Sequence, residues 1–343
     1  MKQHDMTKWL KKMFLFLLPF LVLLTLYVVL DPFKVVRKYS GYDDSAEVRL
    51  VLNRDYVSTC TFENNYPSHN YDSFIFGNSC SIFYEVADWK CYLDSNSRCF
   101  HFDASGESLY GAYKKIKYLD AKGVKMNNVL FVVDYSLLEQ VKPSQAHLRA
   151  ISPQLEGNKN ALSFQLSFLK AFFTPKFVLG FFDYKIFGKL RRYMLSLLDA
   201  RPTRYEADTN EISYPHYEQL IAQDEYYTSE RMSVFYERDS VQSFFPLVIK
   251  ASQKKMLREI NDIVRKNNAD LKVIISPRYD QKKLDKQDLM FVQSLFGQER
   301  VFDFSGINDL TNDYTNYYEA MHYRPHVARV ILKEVYFRTT ASK

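Results

Sequence analysis

Apolar positions fall into two regimes along this chain. The first is Met13–Leu30, which runs without a charge (MFLFLLPFLVLLTLYVVL) after a start carrying Lys2, Lys8, Lys11 and Lys12. Eighteen helical residues cover about 27 Å, close to the hydrocarbon thickness of a bilayer. Pro19 is tolerable inside a membrane helix. A signal peptide has the same basic start, but its apolar region is shorter, and Asp31-Pro-Phe follows Leu30 in place of a small-x-small cleavage site. The pattern therefore predicts an uncleaved anchor. Lys34, Arg37 and Lys38 flank its other end, so the charge bias is slight, and the short basic start points to N-terminus in, domain out.

In the second regime, short apolar runs alternate with amphipathic stretches. Ser73–Phe76 reads as a buried strand that stops at Gly77, and Arg98–Asp103 as a short second strand. Glu107–Leu119 has helical spacing, with Leu109, Tyr113, Ile116 and Leu119 on one side and Gly123 as its stop. Asn128–Val133 is almost continuously apolar, as a central parallel strand should be, and ends at Asp134-Tyr135. The pattern resumes with a helix at Ile249–Asn267, a strand at Leu271–Ser276 broken by Pro277, a helix at Lys286–Phe296 and a strand at Val301–Phe304. Pro325 opens a last helix, with Val327, Val330, Ile331 and Val335 predicted to face inward. Such alternation predicts an α/β domain with a parallel sheet and right-handed crossovers.

Two segments break the rhythm. Lys38–Tyr71 is polar and turn-rich and reads as the linker into the domain. The middle, about 139–246, lacks clear strands and reads as a mainly helical insertion, with Glu206–Arg238 as exposed loop. Within it, Ala161–Leu198 mixes Phe and Leu with Lys170, Lys176, Lys185, Lys189, Arg191 and Arg192. That mixture suits a helix on a membrane surface or against a membrane partner; a helical cap on the domain's own core is the alternative. The division is thus 1–38 as stub and anchor and 39–343 as the domain.

Composition narrows the classes. Of 343 residues, 26 are Tyr and 27 Phe, enough for a large core, and 25% charged residues match a globular chain. The net charge of +6 is spread along the chain without a basic stripe, which speaks against nucleic acid. Cys60, Cys80, Cys91 and Cys99 form no Cys-x-x-Cys pair, so structural zinc is not indicated. Outside the cytoplasm, a Cys91–Cys99 disulfide and four free thiols both fit the spacing.

Chemistry enters at both ends of the domain. Ser79 follows the Gly77 turn at the carboxyl edge of the first strand, where open α/β sheets place ligands, and a helix starting there would aim N–H groups at developing charge. Ser79 is the candidate nucleophile; a helix-capping serine is the plain alternative. Immediately before the last helix stands Tyr318-Glu-Ala-Met-His322-Tyr-Arg-Pro325. His322 can supply the base that a serine hydroxyl needs, and Glu319 can orient the imidazole.

Together, Gly77-Asn78-Ser79, the Gly106 turn after the second strand and Glu319-Ala-Met-His322 resemble the blocks of the SGNH-hydrolase superfamily. The membrane anchor, Ile275-Ser-Pro277 and the run from Tyr317 to Pro325 make the chain similar to its membrane-anchored, DltD- and AlgJ/AlgX-like branch. The resemblance spans about 72–134 and 249–337. It implies a flavodoxin-like three-layer SGNH fold on the extracytoplasmic side of a bacterial cell membrane, without cofactor or metal. It also implies acyl-ester chemistry on a cell-envelope glycan: Ser79, His322 and Glu319 as triad, and the backbone N–H groups of Ser79 and Gly106 as oxyanion hole. O-acyl transfer would need a multi-spanning membrane acyltransferase, with Phe172–Arg192 as candidate docking surface; hydrolysis would need none. Two departures stand out. Glu319 replaces the usual Asp, and Asp134-Tyr135 stands where the third block carries Asn, so Asn78 and Asp134 become site neighbours of interest. A catalytically degenerate scaffold or glycan-binding partner is the rival reading, because losing one oxyanion donor costs about 100- to 1000-fold in rate.

Overall fold

A computed structural model describes residues 3–42 and 48–341; Lys2 lies outside them. The first helix, α1 (Gln3–Leu30), contains the expected apolar run and Pro19. Among the described residues it is the helix long and apolar enough to cross a bilayer, and almost none of that stretch is buried. It ends at Asp31, whose carboxylate accepts hydrogen bonds from Val35, Val36 and Arg37 N–H and from the Tyr39 hydroxyl.

Next in chain order come α2 (Arg54–His69), β1 (Ser73–Phe76), β2 (Cys99–His101), α3 (Leu109–Ala121) and β3 (Asn128–Val133). The middle segment contributes α4 (Ala161–Phe172) and α5 (Pro175–Phe187). Then follow α6 (Ala251–Lys266), β4 (Asp270–Ile275), α7 (Lys286–Phe296), β5 (Val301–Asp303), β6 (Tyr317–Glu319), β7 (His322–Tyr323) and α8 (Pro325–Ala341). β1 to β5 form one parallel sheet in the order β2-β1-β3-β4-β5. This doubly wound order reverses direction between β1 and β3, and the crevice beyond their carboxyl ends is the place such sheets offer a ligand.

Strand side chains alternate between two cores. Phe74, Phe76, Phe131, Leu271 and Val273 pack under α3, α6 and α7. Ile75, Leu130, Val132, Ile274 and Phe302 pack with Trp89, Tyr84 and α8 on the other face. Both faces being covered explains why β3 reads as an almost continuous apolar run; β4 is interrupted by the buried Lys272, which pairs with Asp270 at 2.7 Å. In α8, Val327, Ile331 and Val335 are buried, whereas Val330 is 48% exposed, against the expectation that it faces inward. Adjacent positions on a helix point about 100° apart, so Val330 and Ile331 cannot share one narrow stripe.

The Lys38–Tyr71 stretch is no mere linker. It contains α2, capped at Asn53, whose side chain accepts from Tyr56 N–H, and closed by Asn70 at φ 50°. Hydropathy hides this helix because its buried first turns are polar: Arg54, Asp55, Ser58 and Thr59. Their partners come from elsewhere. Arg54 pairs with Asp103 at 2.8 Å, Asp55 with Lys115 at 3.2 Å, and Ser58 Oγ donates to Asp103 O at 2.6 Å.

The middle segment is helical in part. It also holds an antiparallel ribbon (Arg204–Glu206 with Glu211–Ser213) and a short strand, Leu198–Asp199, paired with Arg49–Leu50. Glu206–Arg238 differs from the expected exposed loop. It includes helices Pro215–Ala222 and Ser229–Met232, and Asn210 and Tyr226 are buried. All four cysteines are free thiols; Cys60, Cys80 and Cys99 are buried and Cys91 is exposed.

Candidate active site

β1 ends at Gly77 because the chain there runs against its neighbours. A Cβ at Gly77 would lie 2.7 Å from Val132 O in β3 and 2.7 Å from Ser81 Cβ. Gly77→Ala is therefore expected to push β1 from β3 and to cost about 1–3 kcal/mol of stability, read by urea denaturation of the detergent-solubilised chain. An unchanged urea midpoint would show that the turn can yield.

The chain then turns at Asn78–Cys80 into a 3-10 turn, Ser81–Phe83, and a five-residue helix, Val86–Lys90. The helix expected to start at Ser79 is thus only this 3-10 turn and one short helix, so no substantial helix dipole points at the serine. The turn is held instead by side chains. Asn78 Oδ1 accepts from Cys80 N–H at 3.0 Å, and Ser81 Oγ donates to Asn78 O at 2.8 Å.

His322 reaches Ser79 from the far end of the domain. Its Nε2 lies 2.8 Å from Ser79 Oγ across 243 residues of sequence. The other ring nitrogen, Nδ1, meets Glu319 Oε1, and Glu319 Oε2 accepts from Met321 N–H at 2.9 Å. The Glu-x-x-His spacing is that of a hairpin: β6 and β7 are antiparallel, and Glu319 and His322 are cross-strand partners. Side chains directly opposite on one face of such a pair stand about 4.5–5.5 Å apart at Cβ, close enough for carboxylate and imidazole to meet. This hairpin was not visible in the polar run before Pro325. Cys80 Sγ lies 3.4 Å from Met321 O, and the Phe83 ring packs on His322 at 5.7 Å, tying hairpin and serine turn together.

Burial works to raise the Glu319 carboxyl, but the hydrogen bond and charge of His322 and the Met321 N–H outweigh it and hold it below its ordinary value. Glu319 thus stays ionised, as an orienting group must. Burial pushes the neighbouring Cys80 thiol upward, so it stays protonated and does not compete with Ser79 as a nucleophile.

Gly106, the expected second oxyanion donor, borders the same cavity as Ser79. It has φ +62°, and a Cβ on it would meet Arg149 Nε at 3.2 Å. Among the described residues, the backbone N–H groups of Ser79 and Gly106 have no acceptor. Asp134 stands at the end of β3, across the switch point. Its carboxylate accepts from Leu137 N–H at 2.8 Å, Ser136 Oγ at 2.7 Å and Asn78 Nδ2 at 3.0 Å, and pairs with Arg278 Nη1 at 3.2 Å. Arg278 also pairs with Asp280 at 3.0 Å, so one guanidinium serves two carboxylates, and Asp134 is tied down by its four partners. Arg278, which follows Pro277 after β4, was not singled out from the sequence; an arginine three residues past a strand end was the signal available.

These groups border one cavity of about 820 Å³, within the range of small-ligand sites. Tyr205, Tyr214, Tyr217 and Tyr318 line it with Arg49 and Arg201. Most come from the middle segment, whose contribution hydropathy did not reveal. Phe172–Arg192 does not line the cavity. Among the described residues, no three His, Cys, Asp or Glu side chains gather as a bound metal would require. The arrangement can deprotonate a serine, hold an oxyanion and seat a polyhydroxylated or aromatic group. Against known proteins, no family model and no curated protein matches the chain.

Proposed function

We propose that the chain is a membrane-anchored serine enzyme of SGNH type that acts on acyl esters of a cell-envelope or extracellular glycan, most readily by O-acyl transfer. One observation carries this reading: the continuous relay from Glu319 through His322 to Ser79 Oγ, at 2.8 Å for its last link. In this mechanism His322 Nε2 takes the Ser79 proton as Oγ attacks the acyl carbonyl. Glu319 holds the imidazole by Nδ1 and stabilises the imidazolium, while the N–H groups of Ser79 and Gly106 receive the oxyanion. The protonated His322 then releases the alcohol, and Ser79 carries the acyl group. A glycan hydroxyl, deprotonated in turn by His322, resolves the ester by transfer; water resolves it by hydrolysis. The tyrosine-rich wall favours a sugar acceptor, since sugar rings stack on aromatic faces and their hydroxyls find donors at the rim. Transfer requires an acyl group brought across the membrane, hence a multi-spanning acyltransferase as partner.

A scaffold without catalysis is the second reading, favoured by Asp134 in place of a third oxyanion donor. The hydrogen bonds from Leu137, Ser136, Asn78 and Arg278 weaken that objection, because they fix the carboxylate in place and offset part of its charge. A fluorophosphonate probe on the full chain in detergent separates the two. Labelling mapped to Ser79, and lost in Ser79→Ala, is the expected result; folded protein that never labels would leave the scaffold.

A further inference from the structure

We propose that the α4–α5 hairpin is embedded in the lipid bilayer, its outward face immersed beside the last turns of α1 and its cations among anionic headgroups. Each helix of the pair is apolar on two sides. Inward, Phe164, Phe168, Phe172, Phe177 and Phe181 form a closed core with Tyr27 and Phe33. Outward, Leu162 is 74% exposed, Leu166 53%, Leu179 65%, Ile186 71% and Phe187 62%. On the exposed side these large apolar residues stand with Lys170, Lys176 and Lys185, the composition of a boundary helix, and no core covers them.

Depth identifies lipid as the occupant. The hairpin packs on α1 itself: the Tyr27 and Phe172 rings lie 5.2 Å apart, and Leu23 packs against the same cluster. At 1.5 Å per residue, Tyr27 and Leu23 lie about 5 and about 10 Å back along α1 from Leu30. If Met13–Leu30 spans the hydrocarbon, whatever covers Leu23 and Tyr27 lies within that layer too. Beyond Leu30, Phe33 continues the seam, 5.3 Å from Phe168 and 4.7 Å from Phe177. The exposed face of α4–α5 is thus continuous with the lipid-facing surface of α1.

Charge agrees with depth. Between 161 and 198 stand six cations and one acid, Asp183, which Arg191 already binds at 2.7 Å. Amphipathic elements at a bilayer boundary combine such an apolar face with flanking Lys and Arg. The consequence for the site is positional. The His147 ring packs on Phe33 and Phe168 at 5.4 Å each, and two residues later Arg149 lies against Gly106 on the cavity wall. The cavity is therefore held one short turn from the membrane boundary.

The test uses the full chain with Cys91→Ser, since Cys91 is the exposed thiol. Ile186→Cys, with Leu179→Cys as a second site, is labelled with an environment-sensitive fluorophore and reconstituted into phosphatidylcholine–phosphatidylglycerol vesicles. A lipid spin-labelled high on its acyl chain should quench either probe at least about twofold more than an aqueous quencher does. A probe at Met290→Cys, 59% exposed on α7, should show the reverse order. Equal aqueous quenching at Ile186 and Met290, in chains that float with the vesicles, would overturn the proposal. Shielding from both quenchers would overturn it in favour of a protein partner or a second copy. A chain that fails to float overturns it together with the spanning role of α1.

Discussion

Replacing His322 with alanine is expected to lower turnover of an aryl acetate by about 10⁶-fold, as removing either member of a serine–histidine pair does. The fold should survive, because the His322 side chain is 30% exposed and Glu319 37%, so neither is left stranded in a dry core. Glu319→Gln should cost less, about 10⁴-fold, because the amide holds the wrong tautomer while preserving shape. Glu319 is held below the ordinary carboxylate value by His322, against burial. It therefore stays ionised at neutral pH, and Glu319→Gln removes a charge from beside the imidazole as well as a hydrogen-bond acceptor. Initial rates with the aryl ester, beside thermal unfolding of each variant, make the check. Wild-type turnover in folded His322→Ala would remove the triad altogether.

The largest loss of stability is expected at Lys115, on the far side of the same cavity floor. Its ammonium is fully buried and binds Glu107 at 2.5 Å, Asp55 at 3.2 Å and Asp103 O at 2.9 Å. Lys115→Met strands two carboxylates, for which about 3–5 kcal/mol is the expected cost. The pH dependence follows from Glu107, which burial pushes up to about 7 even against the pull of Lys115. A carboxyl whose folded pKa is raised binds its proton more tightly in the folded state. Its penalty is absent below the unfolded value of about 4.3 and grows as pH rises towards the folded one. Glu107 therefore penalises both chains alike up to about pH 7; losing Lys115 raises it further, so the gap to wild type widens above about 7. Urea midpoints at pH 4.5 and 8 measure it, and Lys115→Met with Glu107→Gln should recover part of the loss at pH 8. Equal midpoints for Lys115→Met and wild type at pH 8 would mean the cluster carries no net stabilisation.

Beneath the cavity, the same cluster shows why half of this protein was hidden from its sequence. Arg54 pairs with Asp103, whose carboxyl burial would raise but Arg54 and His101 hold well below its usual value. Each of these polar residues is stable in the interior only because a partner from another element meets it. Hydropathy marks them as solvent-facing, so α2 looked like linker and the ribbon near Asn210 like loop.

What the order of residues determined by itself is the alternation of β1, α3, β3, α6, β4, α7 and β5, because strands buried on both faces must be continuously apolar and helices between them must be one-sided. It also determined the apolar span of α1, since eighteen uncharged residues cannot remain exposed to water. Ser79, Glu319 and His322 could be picked out by chemical type. Their meeting was decided only in three dimensions, where sheet order sets Ser79 at the switch point and a hairpin turns Glu-x-x-His into cross-strand partners. The tertiary structure likewise tied Asp134 to Arg278 and brought α4–α5 against α1. Contacts between residues far apart in sequence leave no periodicity along the chain, so only the folded molecule carries them.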